Sequence, residues 1–375
     1  MKIRTRVLAP VFAMLVAGGC ARASSNALAA TRADDVAATV VSTRFDSLRR
    51  AAKIPGLAVV MLRDTTVFFA SGFGLADIAR NTPVTAETPF NIASVAKPIS
   101  AVVALKLVED GRLDLDRPMR SYKGFDEFCA EATSGGGIFF SDYKCAGDKL
   151  TMRRVLGMTA NGEPGTRFLY NPVSYSWASR PMAEVAGSAF SDLVDSLVFR
   201  PGAMKQSARI HRRLPLRADL AASLATPYHV DSIGRVVQSE PPGPQGDGAA
   251  GGVIASAMEL ARFDIALSND RLLTPTWREK LWTASRTPSG AEIPYGLGWF
   301  LGEYHGRRVA WHTGLWDGQY SALYLKVLDG PRTERLTLVL LANSDGLKWP
   351  TRLDEAAIER SPFAVAFLDA FAIRH

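Results

Sequence analysis

The feature that most constrains this chain is where its strand-like runs fall. Leu57–Leu62 and Val67–Ser71 flank the turn residues Arg63-Asp64, while Gly296–Gly302, Arg307–Trp311, Gln319–Val327 and Arg335–Ala342 follow one another near the other end. Runs of this length bounded by turn residues read as strands, and the short spacers join them as hairpins. The segment between them has helical spacing broken by Gly and Pro. Strands at both ends with helices between predict an α+β fold: one antiparallel sheet assembled from the two termini, covered by helices, with a mainly helical inserted subdomain. The expected α/β part covers about 34–90 and 290–375 and the helical part about 91–289, with a cleft between them as the natural site.

Helical spacing is clear at 34–52 and at 94–110. The second carries Val95, Val102, Val103, Leu105, Leu107 and Val108 around much of its circumference, so it is expected to be buried, ending at Gly111. A helix over Met258–Ala266 and a closing helix within 352–372 are also expected. The stretch 121–149 is rich in Gly and polar residues and reads as an insertion loop, and 240–252, EPPGPQGDGAAGG, must be irregular. With 375 residues, 47% of them hydrophobic, the chain can bury a large core, and it has neither a central linker nor a fixed-period repeat.

The first residues place Lys2, Arg4 and Arg6 ahead of an apolar run from Val7 to Ala17, the order of an export signal within 1–29 and too short for a permanent bilayer span. Two cleavages are open: lipoprotein processing before Cys20, whose lipid would be the chain's only membrane anchor, or ordinary cleavage near Ala29. Either reading predicts an exported protein of the periplasm or cell envelope. Without Cys20, Cys129 and Cys145 remain as an even pair in an oxidising compartment and are expected to form a disulfide.

The formal charge of +7 falls to +4 once Lys2, Arg4 and Arg6 are removed. The short clusters Arg49-Arg50, Arg153-Arg154 and Arg212-Arg213 lack interleaved aromatics, so nucleic acid is not an expected partner. The five histidines, at 211, 229, 305, 312 and 375, show no metal-ligand spacing. Glycine-rich phosphate loops and a Gly-x-Ser-x-Gly elbow are also missing, so neither a metal nor a cofactor is expected.

Chemistry concentrates at three places. Ser94-Val95-Ala96-Lys97 opens the buried helix, where a spacing of three puts both side chains on one face and Pro98 fits a first turn. A lysine desolvated beside a serine can take its proton, and free backbone N–H groups at a helix start can hold an oxyanion. Ser141-Asp142-Tyr143-Lys144 repeats the spacing without a helical pattern and reads as loop. The second place is Tyr170-Asn171-Pro172 after Pro164-Gly165-Thr166, and the third is Trp311-His312-Thr313-Gly314.

In this order the three motifs resemble the serine β-lactamase-related superfamily of class C β-lactamases, D-alanyl-D-alanine carboxypeptidases and family VIII-type esterases, whose signature is Ser-x-x-Lys, Tyr-x-Asn and Lys- or His-Thr-Gly. Asn91-Ile92-Ala93, Gly251-Gly252-Val253-Ile254-Ala255-Ser256 and Tyr295-Gly296-Leu297-Gly298-Trp299 add to the likeness, which covers about residues 36–345. It implies Ser94 as nucleophile, Lys97 and Tyr170 as the proton-transfer pair, the backbone N–H groups of Ser94 and Leu315 as oxyanion hole, and His312, Thr313 and Gly314 as pocket wall.

Two departures bear on substrate. Pro172 stands where the family has the Asn of Tyr-x-Asn, with Asn171 one residue away as its expected stand-in at the pocket, and the stretch between Met158-Thr159-Ala160 and Pro164 is short. His312 in place of lysine removes a fixed positive charge for a substrate carboxylate. These changes favour small-molecule ester or small-peptide substrates over β-lactams, with an esterase-like substrate leading. The alternatives are a D-alanyl-D-alanine carboxypeptidase or weak β-lactamase, and a non-catalytic envelope protein that binds with the same fold.

Overall fold

The computed structural model describes residues 37–372 except 136, 138, 242, 244–245, 330–334 and 349–354. The segment expected to be an export signal, with Cys20, lies outside the described residues.

Twelve strands are described. They are β1 (Gly56–Arg63), β2 (Thr66–Asp77), β3 (Thr82–Pro83), β4 (Phe90–Asn91), β5 (Ala208–Arg209), β6 (Tyr228–Val230), β7 (Val236–Gln238), β8 (Val253–Ala255), β9 (Phe300–Tyr304), β10 (Arg307–Trp316), β11 (Tyr320–Val327) and β12 (Leu336–Ala342). Seven form one antiparallel sheet in the order β3-β2-β1-β12-β11-β10-β9, so the two ends of the chain meet where β1 pairs with β12, Leu57 opposite Ala342. β11 and β12 are buried at every residue, and β1 at all but Arg63. Strands covered on both faces lose the alternation of a half-exposed sheet, which is why their sequences are continuous apolar runs.

Helix α1 spans 37–51. The others are α2 (Ala96–Glu109), α3 (Phe125–Ser134), α4 (Met152–Leu156), α5 (Pro172–Trp177), α6 (Ser179–Ala186), α7 (Phe190–Val194), α8 (Ala218–Ser223), α9 (Ala257–Ser268), α10 (Pro275–Leu281) and α11 (Pro362–Phe371). Phe45 of α1 stacks on Phe363 of α11, and Phe371 meets Phe68 of β2 edge-on. α9 lies against β1 and β12 although it comes from the middle of the chain. Its Asp264 bonds Tyr324 and Lys326 of β11 and, at 3.2 Å, Thr337 of β12. Gly111 takes the left-handed conformation expected after α2, with φ 69°.

Three expectations need correction. The stretch 121–149 is not all loop, because α3 occupies Phe125–Ser134 and buries Phe125, Cys129 and Ala132, three apolar positions hidden among polar neighbours. The run expected at Gly296–Gly302 becomes strand only from Phe300; Gly296 and Gly298 instead sit against Leu281 and Lys97 with no room for a Cβ. The run expected at Arg307–Trp311 reaches Trp316, so His312-Thr313-Gly314 lies inside β10. Cys129 and Cys145 are disulfide-bonded, with Cα atoms 5.9 Å apart. Among the described residues no helix is long and apolar enough to cross a membrane.

Candidate active site

Ser94 sits in a single 3-10 turn, Ala93–Val95, that feeds directly into α2. The turn is strained: Ala93 is held at φ 47°, a region that disfavours a Cβ. Asn91 offsets this by accepting the Ala93 N–H on its Oδ1 at 3.0 Å, while β4 anchors to β8 just before. Strand β10 runs against the same turn. A Cβ on Gly314 would lie 2.3 Å from the Ile92 carbonyl oxygen, so glycine is what lets the strand come this close and brings Leu315 beside Ser94.

Lys97 Nζ donates to Ser94 Oγ at 2.8 Å and to the Ala250 carbonyl at 3.2 Å. This nitrogen is fully buried and lies 5.1 Å from the Tyr170 ring centroid and 5.5 Å from that of Tyr175. Among the described residues no carboxylate pairs with it, and burial pushes its pKa well below the ordinary lysine range. Burial pushes the Tyr170 phenol upward, opposed only by Ser94. Its hydroxyl closes no hydrogen bond among the described residues. Of the two groups, burial therefore favours the Lys97 amine as the one that takes a proton and the Tyr170 phenol as the one that keeps its proton to give.

The segment 247–252 forms the opposite wall and is pinned from several sides. Ser100 Oγ donates to the Ala249 carbonyl at 2.6 Å, and the Ala249 N–H donates to the Ser176 carbonyl at 3.0 Å. Arg209, almost fully buried, reaches Asp247 and the Gly248 carbonyl at 2.9 Å each and also bonds the Gly251 carbonyl. Sequence reasoning missed Arg209, because nothing in Ser207-Ala208-Arg209-Ile210-His211-Arg212-Arg213 separates this buried arginine from the two that follow it. Ser94, Tyr170, Pro172, Val173, Gly248 and Leu315 are among the residues around a cavity of about 340 Å³.

His312 does not line that cavity, contrary to expectation. It is fully buried among Tyr170, Tyr295 and Phe300. Its Nδ1–H donates to the Thr313 carbonyl at 2.6 Å, which leaves Nε2 to accept from the Tyr295 hydroxyl at 2.9 Å. Burial, reinforced by Lys97, holds its pKa well below the usual histidine value, so the ring is neutral. Thr313 and Gly314 likewise belong to the strand behind the wall, and β10 contributes Leu315 and Trp316 to the cavity. Tyr295, the partner of His312, opens the Tyr-Gly-Leu-Gly-Trp segment, which was the signal for it.

Asn171 also departs from expectation. It caps α5, accepting the Ser174 N–H on Oδ1 at 2.9 Å, and its amide donates to the Phe139 carbonyl at 2.8 Å and to Asn161 Oδ1 at 3.0 Å. Asn followed by Pro is a helix start, with Asn at the cap and Pro at the first helical position. The cap consumes the side chain, and Pro172 presents only ring carbon to the cavity. The described residues hold no group of His, Cys, Asp and Glu suited to a metal ion.

A chain with this sheet and this serine–lysine–tyrosine arrangement belongs to the β-lactamase family of serine hydrolases, whose family model, Beta-lactamase, matches residues 41–360. It is 27% identical over 333 residues to penicillin-binding protein 4* of Bacillus subtilis, covering 81% of this chain and 71% of that one. To the D-aminopeptidase of Gluconobacter oxydans it is 26% identical over 310 residues, 77% of this chain and 56% of that protein. In fold it is similar to the D-amino acid amidase of Ochrobactrum anthropi, with a TM-score of 0.67 at 18% identity over 90% of this chain and 99% of that one. The penicillin-binding protein of Bacillus halodurans superposes with a TM-score of 0.61 at 21% identity, over 86% and 98%.

Proposed function

We propose that the protein hydrolyses uncharged esters, and more slowly amides, through an acyl-enzyme on Ser94. The observation that carries this is the wall of the serine cavity: no Lys, Arg or His side chain is among the described residues lining it, so it has no cation for a substrate carboxylate. The sealed, neutral His312 supports the same reading.

In this mechanism neutral Lys97 takes the Ser94 proton as Oγ attacks the carbonyl carbon, and the backbone N–H groups of Ser94 and Leu315 donate to the oxyanion. Tyr170 then gives its phenolic proton to the departing oxygen or nitrogen and is reprotonated from Lys97. Water repeats the sequence on the acyl-enzyme and frees Ser94. A second reading, hydrolysis of small peptides or amides built on D-residues, is favoured by the relatives named penicillin-binding protein and D-aminopeptidase. The charge-then-apolar order of residues 1–17 supports export to the cell envelope as the setting.

Intact-protein mass spectrometry after exposure to a fluorophosphonate, a p-nitrophenyl ester and a penicillin tests this, beside turnover of the ester, a D-amino acid amide and a D-alanyl-D-alanine peptide. The expected result is one adduct that disappears in Ser94→Ala, and fastest turnover of the ester. No adduct with any reagent would remove Ser94 as nucleophile; faster turnover of the amide or the carboxylate-bearing peptide would replace the ester reading with the second.

A further inference from the structure

The serine cavity does not stand alone. A second cavity of about 690 Å³ shares Val173, Ser176, Gly246 and Gly248 with it, so the two adjoin at these residues, with Ser94 on the smaller one. The far wall is aromatic. Phe128 stacks on Trp177 with centroids 5.3 Å apart and meets Phe140 at 6.2 Å, and Phe140 meets Tyr143 edge-on at 5.2 Å. Phe128 and Phe140 keep partly exposed faces. The threshold between the chambers is also apolar, because it carries Val173 of α5, which is 42% exposed.

The architecture of this wall belongs to the stapled segment. Phe128 adjoins Cys129, Phe140 and Tyr143 precede Cys145, and the disulfide ties the two stretches together. Tyr143 is fixed from below by Ser174 of α5, its hydroxyl 3.2 Å from the serine Oγ. The partly open aromatic faces are thus held in place against the helix that carries the threshold residue. An apolar surface kept open beside a reacting serine, rather than collapsed, is what a substrate arm would cover.

We propose that this second chamber is a subsite for an extended apolar or aryl arm of the substrate, on one side of the scissile bond. This rests on Ser94 as the nucleophile and adds the class of substrate: esters or amides with a long alkyl or an aromatic group, over acetyl-sized ones. The arm passes Val173 and lies against Phe128 and Phe140. Of the charged residues on the same lining, Asp247 is engaged by Arg209, while Glu131 and Arg180, one of each sign, are exposed to solvent, so the contacts left to the arm inside the chamber are the aromatic and aliphatic ones.

The test uses the full chain and two ester series, one with the acyl chain lengthened from acetyl to octanoyl on a constant p-nitrophenol, the other with acetyl held and the alcohol lengthened. In one series kcat/KM is expected to climb by up to about fourfold per methylene over several carbons. The series that responds identifies the side of the bond. In Ala183→Phe, which fills the chamber from a partly exposed position on α6, the long-to-short ratio is expected to fall at least tenfold. Should that variant fail to fold, labelling rates of wild type by fluorophosphonates with short and long alkyl arms give the same readout. Flat profiles in both series and equal labelling rates, with Ser94 still labelled, would overturn the subsite and leave the nucleophile intact. Loss of all labelling would instead overturn the nucleophile.

Discussion

Lys97 carries the sharpest residue-scale prediction, because its burial has opposite effects on stability and chemistry. Its folded pKa lies below the unfolded value of 10.5. Between the two the unfolded chain binds a proton that the folded chain does not, so stability rises with pH across that window and the penalty is gone above the unfolded value. Lys97→Met is therefore expected to be more stable than the parent near pH 7, the gap closing as pH approaches 10.5, while forming no acyl-enzyme. Urea midpoints at several pH values check this, and a constant gap would mean that the amine is not desolvated. The parent's acylation rate should rise with pH through the same lowered pKa and level off well before the ordinary lysine range. His312 and Asn171 show the limit of residue-level reading: each stands in or beside a motif, yet local hydrogen bonds to Tyr295 and to the start of α5 turn both away from the cavity.

At the scale of elements, the approach of β10 to the 93–95 turn and the staple across 129–145 make separate predictions. Gly314→Ala would push a methyl against the Ile92 carbonyl, which belongs to backbone and cannot swing aside. The strand has to move, and with it the Leu315 N–H. Fluorophosphonate labelling is expected to slow by about a hundredfold, the usual effect of losing one oxyanion donor. Unchanged labelling would show that Leu315 is not such a donor. Cys129→Ser with Cys145→Ser opens a loop of sequence separation 16 and is expected to cost about 3 kcal/mol of unfolding free energy. Reductant should reproduce that loss in the parent and change nothing in the double variant. The pairing of these cysteines was legible from their even number on the expectation of export, whereas α3, which presents Cys129, was hidden because only Phe125, Cys129 and Ala132 of its residues are buried.

At the scale of the whole molecule, the middle of the chain is bolted to the terminal sheet by one buried charge cluster. Asp264 of α9 and Lys326 of β11 are both sealed from solvent, and burial lowers the Lys326 pKa against the pull of Asp264. Asp264→Ala would leave the lysine buried without its partner, at a cost of about 3–5 kcal/mol. The expected outcome is one earlier cooperative unfolding transition that takes Ser94 labelling with it. A variant as stable as the parent would show that helix and sheet are held by apolar contact alone.

The sheet assembled from both termini, the buried helix after Ser94 and the spacing that brings Lys97 onto its face were all readable in the sequence. Each depends on periodicity, and periodicity is local: continuous apolar runs mark β1, β11 and β12 as covered on both faces, whatever covers them. Which groups become neutral, and which side chains reach the cavity, was decided only by the tertiary structure. The charge of Lys97 is disfavoured because Tyr170, Tyr175 and the Ala250 carbonyl, all distant in sequence, bury it with no carboxylate partner among the described residues. Desolvation depends on everything packed around an atom, and no short stretch of sequence contains that information.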